Sequence, residues 1–82
     1  MKIDLIKGEF RRDEATALIG EMIQAKIRFH ENKISSSGTE GDIKFREQKV
    51  KSLQDSWHRI RTASQSDSGT VRVDAELVLT NF

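Results

Sequence analysis

The side chains that could carry out acid–base or metal chemistry are few and widely separated in this chain. Cysteine is absent, which excludes a thiolate nucleophile, a thiolate metal ligand and a disulfide. The two histidines, His30 and His58, lie in different halves of the sequence, unlike the closely spaced ligands of a structural zinc site. His30 falls among isoleucines at helical spacing, and we interpret it as a partly buried, hydrogen-bonded side chain. We therefore expect no metal ligands.

Carboxylates and glycines give no catalytic pattern either. Asp13 and Glu14 are explained by the start of a helix, where negative charge is favourable. Gly38 and Gly41 flank a turn, and the Lys-Ser or Lys-Thr pair of a phosphate-binding loop does not follow them. We expect no catalytic residue and no cofactor, and the sequence predicts a protein that is not an enzyme.

Nucleic-acid binding is the alternative function that the charged residues leave open. The chain has 14 Lys and Arg against 13 Asp and Glu, a net charge of +1, whereas dedicated nucleic-acid binders usually show a basic excess. The basic residues are interleaved with acids, so a solvated helix surface explains them more simply. The candidates on the second predicted helix are Lys44, Lys49, Lys51, Arg59 and Arg61.

Size and composition favour self-association. A chain of 82 residues has room for one domain, whose small core gives marginal stability unless disulfides, a metal or oligomerisation add to it. The chain has no apolar run long enough to span a membrane and no signal-peptide pattern at its N-terminus. We expect a cytoplasmic homodimer that does not enter the membrane.

Hydrophobic periodicity predicts an α+β fold of strand, helix, helix and strand. The predicted elements are a strand at 2–7 ended by Gly8, helices at 12–35 and 40–63, and a strand at 70–80, with loops at 35–41 and 64–69. A short loop between the helices makes them an antiparallel hairpin, which brings the terminal strands side by side and antiparallel. The alternative is an all-α hairpin with irregular termini.

The first helix has two apolar seams, and two seams imply two contacts. The mixed seam holds Ala15, Leu18, Met22, Ala25 and Phe29, and the isoleucine seam holds Ile19, Ile23, Ile27, His30 and Ile34. One seam can meet the second helix, which leaves the other for the strands or for a second subunit. We expect the subunit interface to include four isoleucines and one phenylalanine, namely Ile19, Ile23, Ile27, Ile34 and Phe45.

The second helix has a single narrow seam at the spacing of a coiled coil. Ile43, Val50, Leu53, Trp57 and Ile60 form this seam, and Arg46 falls within it. Phe45 points about 200° away from Ile43. We expect Phe45 either to fold over the loop onto Ile34 or to anchor a partner. Together these patterns predict a small, non-enzymatic module for oligomerisation or protein binding, such as an adaptor or regulatory subunit, whose partner the sequence does not identify.

Overall fold

The computed structural model describes residues 1–36, 38–64 and 69–81, except the side chain of Ser64, and has the predicted β-α-α-β order. Strand β1 is Lys2–Arg11, helix α1 is Arg12–Ser36, helix α2 is Glu40–Ser64 and strand β2 is Thr70–Val78. The predicted loops include Ser37 and residues 65–68, which lie outside the described residues. The fold is therefore α+β, with a helical hairpin and a two-stranded antiparallel ribbon.

Strand β1 is longer than predicted because Gly8 lies inside it. Gly8 has a φ of 144°, which favours glycine, and it pairs with Val73. The predicted end of the strand at residue 7 is thus wrong, and pairing continues to Arg11 opposite Thr70. The second strand ends at Val78 rather than at residue 80.

A β-bulge at Leu5 puts most of the apolar residues of the ribbon on one face. The register changes between Asp4, opposite Glu76, and Ile6, opposite Ala75, so Leu5 is an extra residue in β1. Without it, Ile3 and Ile6 would point to opposite faces of the sheet. With it, both strands contribute to one apolar face, which comprises Ile3, Ile6, Phe10, Val71, Val73, Ala75 and Leu77.

Helix α1 is the central element of the fold. Among the described residues it approaches both strands and α2, whereas α2 approaches neither strand. Thr39 is the N-cap residue that precedes α2. Its hydroxyl accepts a hydrogen bond from the Asp42 N–H at 3.3 Å. The Cα atoms span 46 × 32 × 13 Å, so the chain forms a thin slab about one helix thick.

Few apolar side chains are fully covered in this slab. Among the described residues, the buried apolar side chains are Ile6, Ala15 and Ile27, which are 7 %, 2 % and 5 % exposed. In contrast, Leu77 on the apolar face of the ribbon is 40 % exposed, and Ile3 is 42 % exposed. The hairpin thus covers only part of the apolar face of the ribbon.

Candidate interaction surface

The hairpin contact uses the isoleucine seam of α1. Gly20 lies against the Trp57 ring, and His30 Nδ1 lies 3.1 Å from Nη1 of Arg46. On the helical wheel, Gly20 and His30 flank Ile23 and Ile27, so α2 lies along this seam.

Four of the five expected interface residues are partly or fully covered within the chain, and their role in a subunit interface stays a prediction. Ile27 is buried, and Ile19, Ile23 and Ile34 are partly covered. Phe45 is different, because its ring is 52 % exposed, with the Lys49 ammonium 5.2 Å from its centroid. Of the five expected positions, Phe45 offers the largest accessible surface.

The mixed seam is the apolar face of α1 that stays partly open. Ala15, at its N-terminal end, is buried where α1 leaves the ribbon. Farther along the seam, Met22 is 37 % exposed and Phe29 is 53 % exposed. The accessible apolar surface thus includes the far part of the mixed seam and the free part of the ribbon face.

His30 is held as a neutral side chain inside the hairpin. It is 7 % exposed, and the Arg46 guanidinium donates to Nδ1, which leaves the ring proton on Nε2. Burial, followed by the positive charges of Arg46, Lys26 and Lys49, lowers the pKa of His30 below its ordinary value. The predicted hydrogen bond of His30 is confirmed, and the side chain is buried more deeply than the partly buried position that the sequence predicts.

Arg46 is a charged residue in an otherwise apolar seam. Besides His30, it lies 3.6 Å from the Asp42 carboxylate, and its guanidinium carbon is 5.7 Å from the centre of the Phe29 ring. Its side chain is 20 % exposed. A partly covered cation is stabilised by such partners. Arg46 and His30 thus form a polar contact in the hairpin.

An open groove of about 1120 Å³ runs between the first half of α1 and the end of α2. Its floor is Gly20 and Trp57, and the Arg61 guanidinium lies 5.9 Å from the Trp57 ring. Sequence reasoning did not find this groove, because it depends on how the two helices pack. Its walls combine three cations and two acids, namely Arg12, Arg28, Arg61, Asp13 and Glu21.

The described part of the chain contains no cluster of three or more residues able to hold a metal ion. Neither described helix is long and apolar enough to cross a membrane. Comparison with known protein families, with characterised proteins and with solved structures finds no match to this chain.

Proposed function

We propose that this protein is a small, non-enzymatic interaction module that forms a homodimer. The observation that carries this proposal is the exposed apolar face of the ribbon, where Ile3 and Leu77 pair across the two strands. A soluble domain rarely leaves a continuous apolar patch open unless another molecule covers it. The exposed Met22 and Phe29 on the mixed seam extend the same argument to α1.

The energetics favour the same proposal. An isolated two-stranded ribbon is at best marginally stable in water. Covering apolar surface stabilises a protein by about 25 cal/mol per Å², so a second chain over the open face adds stability that one chain lacks. Stability supplied in this way depends on protein concentration.

The surroundings of His30 disfavour a catalytic role for this residue. The Nδ1 atom of His30 accepts from Arg46, and the ring is 7 % exposed, so it is poorly placed to exchange protons with a substrate. We also propose a cytoplasmic location, because small domains of oxidising compartments commonly contain disulfides and this chain has no cysteine.

Analytical ultracentrifugation at low micromolar concentration tests the homodimer. We expect a species of about twice the 9.4 kDa chain mass, and a melting temperature that rises with protein concentration. A cooperatively folded monomer at these concentrations would contradict the proposal.

Two neighbouring residues of β2 provide a matched pair of variants. Leu77 lies on the apolar face opposite Ile3, whereas Val78 lies on the other face opposite Lys2. We expect Leu77→Ser to weaken the dimer more than Val78→Ser, although Val78 is the more exposed of the two. An equal effect of both changes would show that the apolar face is not involved.

Nucleic-acid binding is the rival function, and salt dependence separates it from the proposal. Several cations already have partners within the chain: Arg11 lies 3.3 Å from Asp13, and Lys49 and Arg61 lie over aromatic rings. Fluorescence anisotropy with arbitrary DNA and RNA should show no binding that weakens steeply with salt. Strong salt-sensitive binding would favour the rival.

A further inference from the structure

The two free edges of the ribbon differ in how well they resist pairing with another strand. The edge of β1 is interrupted by the bulge at Leu5 and by Gly8 at a φ of 144°, and it carries two lysines, Lys2 and Lys7. Bulges and lysines are devices that prevent edge-to-edge association. Strand β2 has neither: within Thr70–Val78 it contains no lysine, no proline and no positive φ.

The hydrogen bonds at the two ends of the ribbon identify which β2 groups face its free edge. Met1 and Leu79 exchange both backbone hydrogen bonds at 2.8 Å, and Gly69 accepts a bond from the Arg12 N–H at the other end. Pairs that exchange bonds alternate with pairs that do not. The odd-numbered residues of β2 therefore bond to β1, and Arg72, Asp74 and Glu76 direct their backbone N–H and C=O groups outward.

We propose that the free edge of β2 pairs antiparallel with β2 of a second copy of this chain, forming a continuous four-stranded sheet. This inference rests on the proposed homodimer and specifies its interface. An antiparallel arrangement about a two-fold axis uses the same edge on both chains, as an isologous dimer requires. It also covers the free edge of β2.

Charge complementarity selects the register of this pairing. With Val73 opposite Val73 of the second copy, each Arg72 lies opposite an Asp74, and Val71 lies opposite Ala75. Within one chain Arg72 already pairs with Asp74 at 2.9 Å, so the dimer would contain a cluster of two arginines and two aspartates. Centring the pairing on Asp74 instead places two aspartates directly opposite each other, which is unfavourable.

In the same register, the second copy lies next to the exposed end of the apolar face, at Leu77. Leu77 lies opposite Gly69 of the other chain, close to the residue at which that chain's α1 begins. Ribbons joined in this way have centres about 9.6 Å apart, which is within the 8–10 Å separation of packed helices. The two copies would therefore share a continuous sheet and have their helices close enough to pack.

Proline at one edge or the other tests which edge pairs. Lys7 and Asp74 are partners across the ribbon, and the N–H of each points to its own free edge. Proline at either position removes an outward N–H without removing a bond between β1 and β2. We expect Asp74→Pro to lose the dimer at concentrations at which the unmodified chain and Lys7→Pro keep it, as measured by ultracentrifugation.

Single cysteines in this cysteine-free chain test the register independently, including the case in which Asp74→Pro does not fold. Val73 would face its own copy with Cα atoms about 4.5 Å apart, within the range that a disulfide spans. Val73→Cys should therefore oxidise to a covalent dimer on a non-reducing gel. Val71→Cys should not, because its two copies would be about 13 Å apart.

The outcomes separate the failure of this inference from that of the proposed function. If the unmodified chain is a monomer, both the proposed homodimer and the proposed edge pairing are wrong. If the chain is a dimer and Asp74→Pro is equally dimeric, the edge pairing is wrong and the homodimer stands. If Val73→Cys forms no more covalent dimer than Val71→Cys, the register is wrong.

Discussion

Gly20 of α1 lies directly beneath the indole of Trp57 of α2, so closely that the ring occupies the space of a side chain. A Cβ atom built on Gly20 would lie 2.6 Å from Cη2 and 2.9 Å from Cζ2 of Trp57. Glycine within a helix costs about 1 kcal/mol relative to alanine. The close approach of the two helices explains why that cost is tolerated here.

We expect Gly20→Ala to destabilise the protein despite the better helix propensity of alanine. The added methyl group must displace the indole, and overpacking of this kind costs about 1–3 kcal/mol, more than the propensity gain. Gly41→Ala is the control, because a Cβ at Gly41, in the first turn of α2, meets nothing within 4 Å. Chemical denaturation should show a loss for Gly20→Ala and a small gain for Gly41→Ala. Stabilisation by both changes would contradict the packing.

The order of the elements follows from periodicity, whereas the strand register does not. Alternation between Val71 and Leu77 predicts β2, and the serine- and glycine-rich stretch after Ile34 predicts the reversal between the helices. Glycine commonly ends a strand, so the sequence predicts an end at Gly8, although Gly8 lies within β1. The bulge at Leu5 depends on pairing between distant segments and leaves no local pattern.

The assignment of the two seams of α1 was also beyond the sequence. Both seams are apolar and run along the same helix, so periodicity does not indicate which of them meets α2. Tertiary packing determines which seam meets α2. The Trp57 ring packs against Gly20, which has no side chain, and His30 pairs with Arg46. Ile27 on the isoleucine seam is consequently buried, whereas Met22 and Phe29 on the mixed seam are exposed.

Gly8→Ala tests the backbone conformation inside β1. A φ of 144° is strained for any residue with a side chain, and we expect a loss of about 1–3 kcal/mol in the free energy of unfolding. Space is not the cause, since a Cβ at Gly8 meets nothing within 4 Å. Gly41→Ala, which also has open space and lies within helix α2, should be neutral or slightly stabilising. Equal effects of the two variants would argue against this backbone conformation at Gly8.

The buried His30 predicts that stability falls as the pH drops. Its pKa is lowered from 6.5 in the folded chain, mainly by burial and then by Arg46. Below about pH 6.5 the unfolded chain binds a proton at His30 more readily than the folded chain does. A fall in pH therefore stabilises the unfolded state relative to the folded state. The contribution of neutral His30 to the free energy of unfolding is thus fully present above that pH and declines below it.

Thermal melts between about pH 7.5 and 5.5 measure this effect, because ordinary carboxylates titrate mostly below that window. We expect the melting temperature to fall with pH, and His30→Gln to reduce the slope. His58→Gln is the control, since His58 is exposed. An unchanged slope in His30→Gln would show that protonation of His30 is not coupled to unfolding.

The last prediction compares two phenylalanines of nearly equal exposure. Phe45 is 52 % exposed and Phe29 is 53 % exposed, but their surroundings differ. The Phe29 ring meets His30 edge-on at a centroid distance of 5.6 Å and lies 5.7 Å from the Arg46 guanidinium carbon. Phe45 has the flexible Lys49 side chain over its ring.

We therefore expect Phe45→Ala to change the free energy of unfolding by no more than about 0.5 kcal/mol, as is usual for surface positions. Phe29→Ala should cost more, because it removes packing from the His30–Arg46 contact. Denaturation and ultracentrifugation of both variants separate stability from assembly. A large loss of stability in Phe45→Ala would place its ring in the packing of its own chain. Unchanged stability with a weaker dimer would support a contact between subunits, and no change in either property would contradict both roles for Phe45.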